Sequence, residues 1–223
     1  MIRTLAGRFQ KSLCALVVAG CGLAHAGSYD DFFKAIEQDN PADIKALLAR
    51  GFDANTVDAK GQYGLLIALG SGSLKAAQTL TEWPQTDVNA LNANGESALM
   101  LAAIKGHTAL AEALIKKDAD INKTGWTPLH YSASASKLDI IRLLLENSAY
   151  IDAESPNGTT PLMMAAMYGT PAAVALLLKE GADPKLKNLQ GLTALEFAQR
   201  ANRPEAVESI AAFLRGKTPA GQW

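Results

Sequence analysis

Apolar residues recur along this chain in pairs of short segments with helical spacing, separated by polar connectors. In LDIIRLLLENSA (138–149), Leu138, Ile141, Leu144 and Leu145 fall near one face of a helix. The segment AAVALLLKEGAD (172–183) repeats the arrangement. Between the pairs run DANTVDAKG, DVNALNANG, DINKTG, IDAESPNG and DPKLKNLQG, whose Asn and Gly clusters mark turns. Each connector ends on a glycine that opens the next apolar segment. Gly95 opens GESALMLAAIKGH, Gly125 opens GWTPLHYSASASK, Gly158 opens GTTPLMMAAMYGT and Gly191 opens GLTALEFAQRANR. A degenerate copy, GQYGLLIALGSGS, starts at Gly61, so the spacings are 34, 30, 33 and 33 residues. One period earlier, Ser28 opens SYDDFFKAIEQDN with the same apolar positions.

A fixed period of this length is the signature of a repeat architecture. One helix pair of this size cannot bury its apolar face alone, so neighbours must stack on it. The predicted fold is an all-α solenoid of stacked helix pairs joined by turns. It comprises six helix-turn-helix repeats at about 28–60, 61–94, 95–124, 125–157, 158–190 and 191–214, within a repeat domain spanning 27–214. Residues 215–223 are expected to form a frayed tail. Charged residues in the first and last repeats, among them Lys34, Glu196, Arg200 and Arg203, read as solvent-facing caps.

The motifs TPLH at 127–130, the following S-A or A-A pairs, Gly106-His107 and Gly181-Ala182-Asp183 resemble the ankyrin repeat family, and the resemblance covers 28–214. It implies a β-turn finger and two antiparallel helices per repeat, stacked into a curved solenoid. Thr127 is then placed to cap a helix, and Pro128 to sit in its first turn, where a missing N–H costs little. Leu129 enters the core. His130 would hydrogen-bond locally and to the neighbouring repeat, bracing the stack instead of acting as a base; Leu66, Met100, Met163 and Glu196 hold its place in other copies. The connector DINKTG (120–125) is three residues short, which predicts a clipped finger. Trp83 is expected to plug the convex side.

The first 26 residues differ from the rest. Arg3, Arg8 and Lys11 precede the apolar run LCALVVAG (13–20), and Ala24-His25-Ala26 forms a small-x-small site, the pattern of a secretory signal peptide. A second processing site competes: Val18-Ala19-Gly20-Cys21 resembles a lipobox, which would acylate Cys21 and anchor the chain to a membrane. Cleavage after Ala26 is favoured because of its distance past the apolar run. The expected location is therefore periplasmic, with a lipid-anchored form as the alternative.

Composition narrows the function. Both cysteines, Cys14 and Cys21, lie in the leader, so the mature chain is expected to have no disulfide, thiol nucleophile or cysteine metal site. Losing Arg3, Arg8 and Lys11 leaves 18 of the 21 basic residues against 22 acidic ones, a formal charge of −4, which disfavours nucleic acid. No catalytic or phosphate-binding motif is present. Two histidines one period apart, His107 and His130, are thin grounds for a metal, and neither metal nor cofactor is expected.

The family resemblance places partner contacts on the fingertips and the exposed side of the inner helices. There the chain offers Glu96, Ile104, Lys105, Trp126, Asn157, Thr159, Met167 and Tyr168. Trp126, Met167, Tyr168 and Ile104 are expected to cluster at the centre of the concave face, where aromatic and Met side chains make binding hot spots. Equally, Trp126 and Tyr168 would serve merely to cover the step left by the clipped finger. Tyr131 is expected to be half-packed between repeats. The expected function is a monomeric, non-enzymatic, exported protein-binding module acting as helper, inhibitor or scaffold. The alternative is a binder of a small ligand or cell-wall component in the same groove. N-terminal sequencing of the mature protein checks the leader: a free Gly27 is expected, and a blocked, acylated Cys21 would establish the lipoprotein instead.

Overall fold

The protein is described by a computed structural model over residues 18–216, with side chains over 27–216. Twelve helices are present in these residues: α1 (Val18–Glu37), α2 (Pro41–Ala49), α3 (Gly64–Ser71), α4 (Leu74–Glu82), α5 (Ala98–Lys105), α6 (Thr108–Lys116), α7 (Pro128–Ser134), α8 (Leu138–Glu146), α9 (Pro161–Tyr168), α10 (Pro171–Lys179), α11 (Ala194–Arg200) and α12 (Pro204–Leu214). The odd-numbered helices pack side by side as one layer and the even-numbered helices as a second. Most of the expected leader and the tail from 217 lie outside the described residues, as does the Cys21 side chain. The expected cleavage position after Ala26 falls within α1, which runs on unbroken into the first repeat. Among the described residues no helix is long and apolar enough to cross a membrane.

Apart from α1, every helix has 7 to 11 residues. Isolated helices shorter than ~12–15 residues are marginal in water, so stacking must hold them. Leu69, Leu80, Leu99, Leu114, Leu129, Ile141, Leu144 and Leu177 are fully buried in one continuous core. Each such side chain contributes about 1.5–3 kcal/mol by leaving water. Buried alanines, such as Ala102-Ala103 and Ala165-Ala166, let adjacent inner helices approach closely. At the N-terminal end the large side chains lie in α1 instead. A Cβ on Gly64 would come within 2.8 Å of Ile36 Cδ1 and 3.0 Å of Phe32 Cε1. The bulk of Ile36 and Phe32 therefore explains why the second repeat carries glycine where others carry alanine or proline.

The fingers are local hydrogen-bonded turns. Asp58 Oδ1 accepts the amides of Lys60 and Gln62, Asn92 Oδ1 those of Asn94 and Glu96, and Asn188 Oδ1 those of Gln190 and Leu192. The glycine closing each turn has φ near the left-handed region, as at Gly61 (+73°) and Gly95 (+74°), where a side chain would be strained. Two of these fingers add an isolated antiparallel bridge, Val57 with Tyr63 and Leu91 with Ser97. Residues 121–126 instead form bends, which is the clipped finger expected from the short connector. Trp83 is half-buried against the core at the end of α4, and its carbonyl accepts from Lys117 Nζ at 2.6 Å.

A ladder of side-chain amides joins successive connectors. Asn55 donates to the Gln85 carbonyl and accepts the Asp87 amide, at 2.8 and 2.7 Å. Asn89 bridges to Asp118 and Asp120 in the same way, and Asn122 to Ser148 and Tyr150. In the next rung Asp152 stands where the others have Asn. Its carboxylate accepts the Asp183 amide at 3.1 Å but has no proton to offer the Gly181 carbonyl, which the pattern places opposite it. Burial raises the Asp152 pKa, the Asp183 amide opposes this, and the Asp183 charge adds to it. Asp152→Asn supplies the missing donor and removes the charge. It is expected to raise stability by about 0.5–1.5 kcal/mol at neutral pH in urea unfolding; a lowered midpoint would show that the Gly181 carbonyl is out of reach.

Candidate protein-binding surface

The inner helices present their N-terminal caps toward the fingers, and one rule sets the chemistry there. The side chain three residues after the N-cap folds back to accept the N-cap's own amide. His130 Nδ1 accepts Thr127 N–H at 3.2 Å, Met100 Sδ accepts Ser97 N–H at 3.3 Å and Met163 Sδ accepts Thr160 N–H at 3.4 Å. Glu196 Oε2 accepts Thr193 N–H at 2.7 Å, which holds its pKa below the usual range. Each is a capping box, with three kinds of acceptor, thioether, imidazole and carboxylate, in one position. Leu66 has no acceptor, and Tyr63 at that N-cap makes no side-chain cap.

His130 does more than cap. Nε2 lies 2.8 Å from the carbonyl of Thr159 in the next repeat. A carbonyl only accepts, so Nε2 carries the proton, and Nδ1 is left to accept from Thr127 N–H and from Thr127 Oγ1–H at 2.9 Å. With 0% exposure and both nitrogens engaged, His130 has no free lone pair to act as a base. It braces two repeats. Among the described residues no group of three or more His, Cys, Asp or Glu side chains is arranged to hold a metal.

The candidate binding chemistry centres on α7. Trp126 immediately precedes the N-cap and stacks edge-on to the His130 ring, with centroids 5.2 Å apart. Tyr131, four residues after the cap, shares its side of the helix, the pairing of a hydrophobic staple. Together with Ile104, Ser134 and Met164 they line an open, mostly apolar hollow of about 240 Å³. The lining follows from helix geometry: positions four and seven after the N-cap share a face, and these are Tyr131 and Ser134 on α7, Met164 on α9 and Ile104 on α5. Tyr131 is half-buried, and its hydroxyl donates to Glu96 Oε1 at 3.0 Å. Burial and then this carboxylate push its pKa to about 12. The other Glu96 oxygen accepts Asn92 Nδ2 at 2.7 Å.

The expected contact residues therefore separate. Ile104 (38% exposed) and Trp126 line the hollow, with Glu96 at its edge through Tyr131. Met167 and Tyr168 do not line it; Met164, one turn earlier on the same side of α9, does. Met167 is half-buried, and Tyr168 is 58% exposed at the helix end. Lys105 turns away to donate to the Gly70 carbonyl of the preceding repeat at 3.0 Å. Asn157 is exposed, and its Oδ1 accepts from the Thr159 amide within its finger turn. Thr159 departs from expectation: it is only 2% exposed. Its amide is held by Ser155 Oγ and its carbonyl by His130, which draws the residue into the repeat interface.

Six stacked helix pairs with hydrogen-bonded fingers define a helical-repeat solenoid, a class that binds through its open surface and not through an enclosed pocket. The family model for ankyrin repeats in three copies matches residues 65–155 and 149–216, and this chain belongs to the ankyrin repeat family. Ankyrin repeats are protein–protein interaction modules. The chain is 29% identical over 160 residues, 69% of its length, to the nuclear factor NF-kappa-B p105 subunit of Gallus gallus. It is 33% identical over 150 residues, 67% of its length, to ankyrin repeat and SAM domain-containing protein 6 of Mus musculus. It spans only 16% and 14% of those two proteins. A chain in the solved complex of the predatory endopeptidase Bd0816 from Bdellovibrio bacteriovorus with immunity protein Bd3460 superposes with a TM-score of 0.70. That match has 30% identity and covers 81% of this chain and 96% of the other.

The His130 brace makes stability depend on pH. Burial lowers its pKa from 6.5 to about 4 in the fold, against smaller opposing effects of carbonyl hydrogen bonds. The unfolded chain then takes up the proton first as pH falls. The contribution of neutral His130 is complete above pH 6.5 and is lost as pH drops toward 4, at up to ~1.4 kcal/mol per pH unit. His130→Met, matching Met100 and Met163, is expected to flatten this part of the stability profile in urea unfolding at pH 7, 6, 5 and 4. An unchanged slope would show that folding does not alter the protonation of His130.

Proposed function

We propose that this protein is an exported, non-enzymatic binding module that docks a partner protein in the periplasm or envelope through its concave face, in an inhibitory or immunity role. One observation carries the proposal. The Ile104–Trp126–Tyr131–Met164 hollow gathers apolar side chains at a solvent-facing surface. Aromatic and Met side chains desolvated at the centre of a surface are the usual anchors of protein complexes. The absence of chemistry is supported by His130, the most promising base in the sequence, being spent on the repeat interface. The inhibitory role is supported by the similarity to a chain from an endopeptidase–immunity protein complex. The hollow, at about 240 Å³, falls short of the ~300–1,000 Å³ of small-molecule pockets, which favours a protein surface over a free ligand. Export rests on the leader pattern at 1–26.

In-cell crosslinking of the tagged full-length protein, with wild type beside Trp126→Ala/Ile104→Glu, tests the docking face. A partner is expected with wild type and is expected to be lost from the double variant, whose circular dichroism should match wild type because neither side chain is fully buried. A partner retained by the folded variant would move docking to another face. Recovery from the cytosolic fraction would overturn export, and purified complexes in which the partner's activity is undiminished would overturn inhibition.

A further inference from the structure

Glu96 is an acidic group without a cation. Its two oxygens accept from neutral donors, the Tyr131 hydroxyl and the Asn92 amide. A carboxylate offers about four acceptor positions, so two remain. Lys105 Nζ donates to the Gly70 carbonyl and Lys123 Nζ to the Thr124 carbonyl, and neither reaches the Glu96 carboxylate. Among the described residues Glu96 forms no ion pair. The residue is nonetheless half-buried and its carboxylate is fixed by the hydroxyl of Tyr131, which lines the mostly apolar hollow. Desolvating a carboxylate further, as a docked partner would, is costly unless a cation arrives with it. An apolar side chain entering the hollow therefore needs a positive charge next to it, and neutral or acidic neighbours are selected against.

We infer that the hollow takes one large apolar side chain of a partner protein and that Glu96 pairs with a lysine or arginine adjacent to it, so that the recognised element is an apolar residue beside a cation. This deepens the docking surface proposed above and rests on it. The fixed geometry is part of the recognition. Tyr131 both walls the hollow and orients the carboxylate, so apolar seat and anionic seat keep a constant separation.

Selection of random twelve-residue peptides displayed on phage against the purified protein tests the pairing. Wild type is expected to enrich a Leu, Ile, Phe or Met flanked within two residues by Lys or Arg. Glu96→Gln keeps both hydrogen bonds, because the Tyr131 hydroxyl can accept from the new amide while its oxygen faces Asn92 Nδ2. It is expected to keep the apolar preference, lose the basic one, and weaken a synthesised winning peptide about 3- to 10-fold. Ile104→Glu is expected to abolish enrichment. Peptides with an apolar anchor but no basic preference, or an affinity unchanged in Glu96→Gln, would overturn the pairing while leaving the docking surface intact. Enriched peptides indifferent to both variants would overturn both. No enrichment over an unrelated control protein would overturn the pairing, since a preformed seat of this kind must select its complement.

Discussion

A pair of helices of 7 to 11 residues has one face that only another such pair can cover, and every other feature of this protein depends on that requirement. Because helices this short are marginal on propensity alone, each repeat is ordered by the continuous core it shares with its neighbours. The polar groups between repeats must then be satisfied repeat by repeat. Caps are closed by whichever acceptor stands three residues on, whether imidazole, thioether or carboxylate. The connectors are tied by side-chain amides that accept from and donate to the following connector. Buried backbone donors thus find partners without a β-sheet or a long helix, consistent with the cost of leaving them unpaired.

His130 shows how one residue type serves different ends in different settings. A histidine beside hydroxyls suggests a base, but here its two nitrogens join the cap of one repeat to the carbonyl of the next. Burial then keeps it neutral. The same bond explains why Thr159, at a position homologous to Glu96 and Trp126, is withdrawn from the surface.

The hollow exists because side chains from three repeats converge. Ile104 comes from one, Trp126 and Tyr131 from the next, and Met164 from the third. Periodicity placed Ile104 and Trp126 on the right face, since residues flanking the cap repeat with the glycine. It singled out Met167 and Tyr168 where Met164 lines the hollow. Reading which of three residues one turn apart reaches a neighbouring helix requires the distance between the helices. The Glu96–Tyr131 bond is equally a product of stacking, because 35 residues separate its partners.

What the sequence alone determined is everything that recurs. The 30- to 34-residue period, the capped helix starts, the finger glycines and the shortened connector all follow from local rules that act within one repeat. What only the tertiary structure decided lies between repeats: the tautomer of His130, the burial of Thr159, the incomplete rung at Asp152 and the walls of the hollow. The physical reason is the same in each case. Hydrogen bonds and burial across a repeat interface are set by distances of a few ångströms between residues about thirty positions apart, and no local pattern encodes those distances.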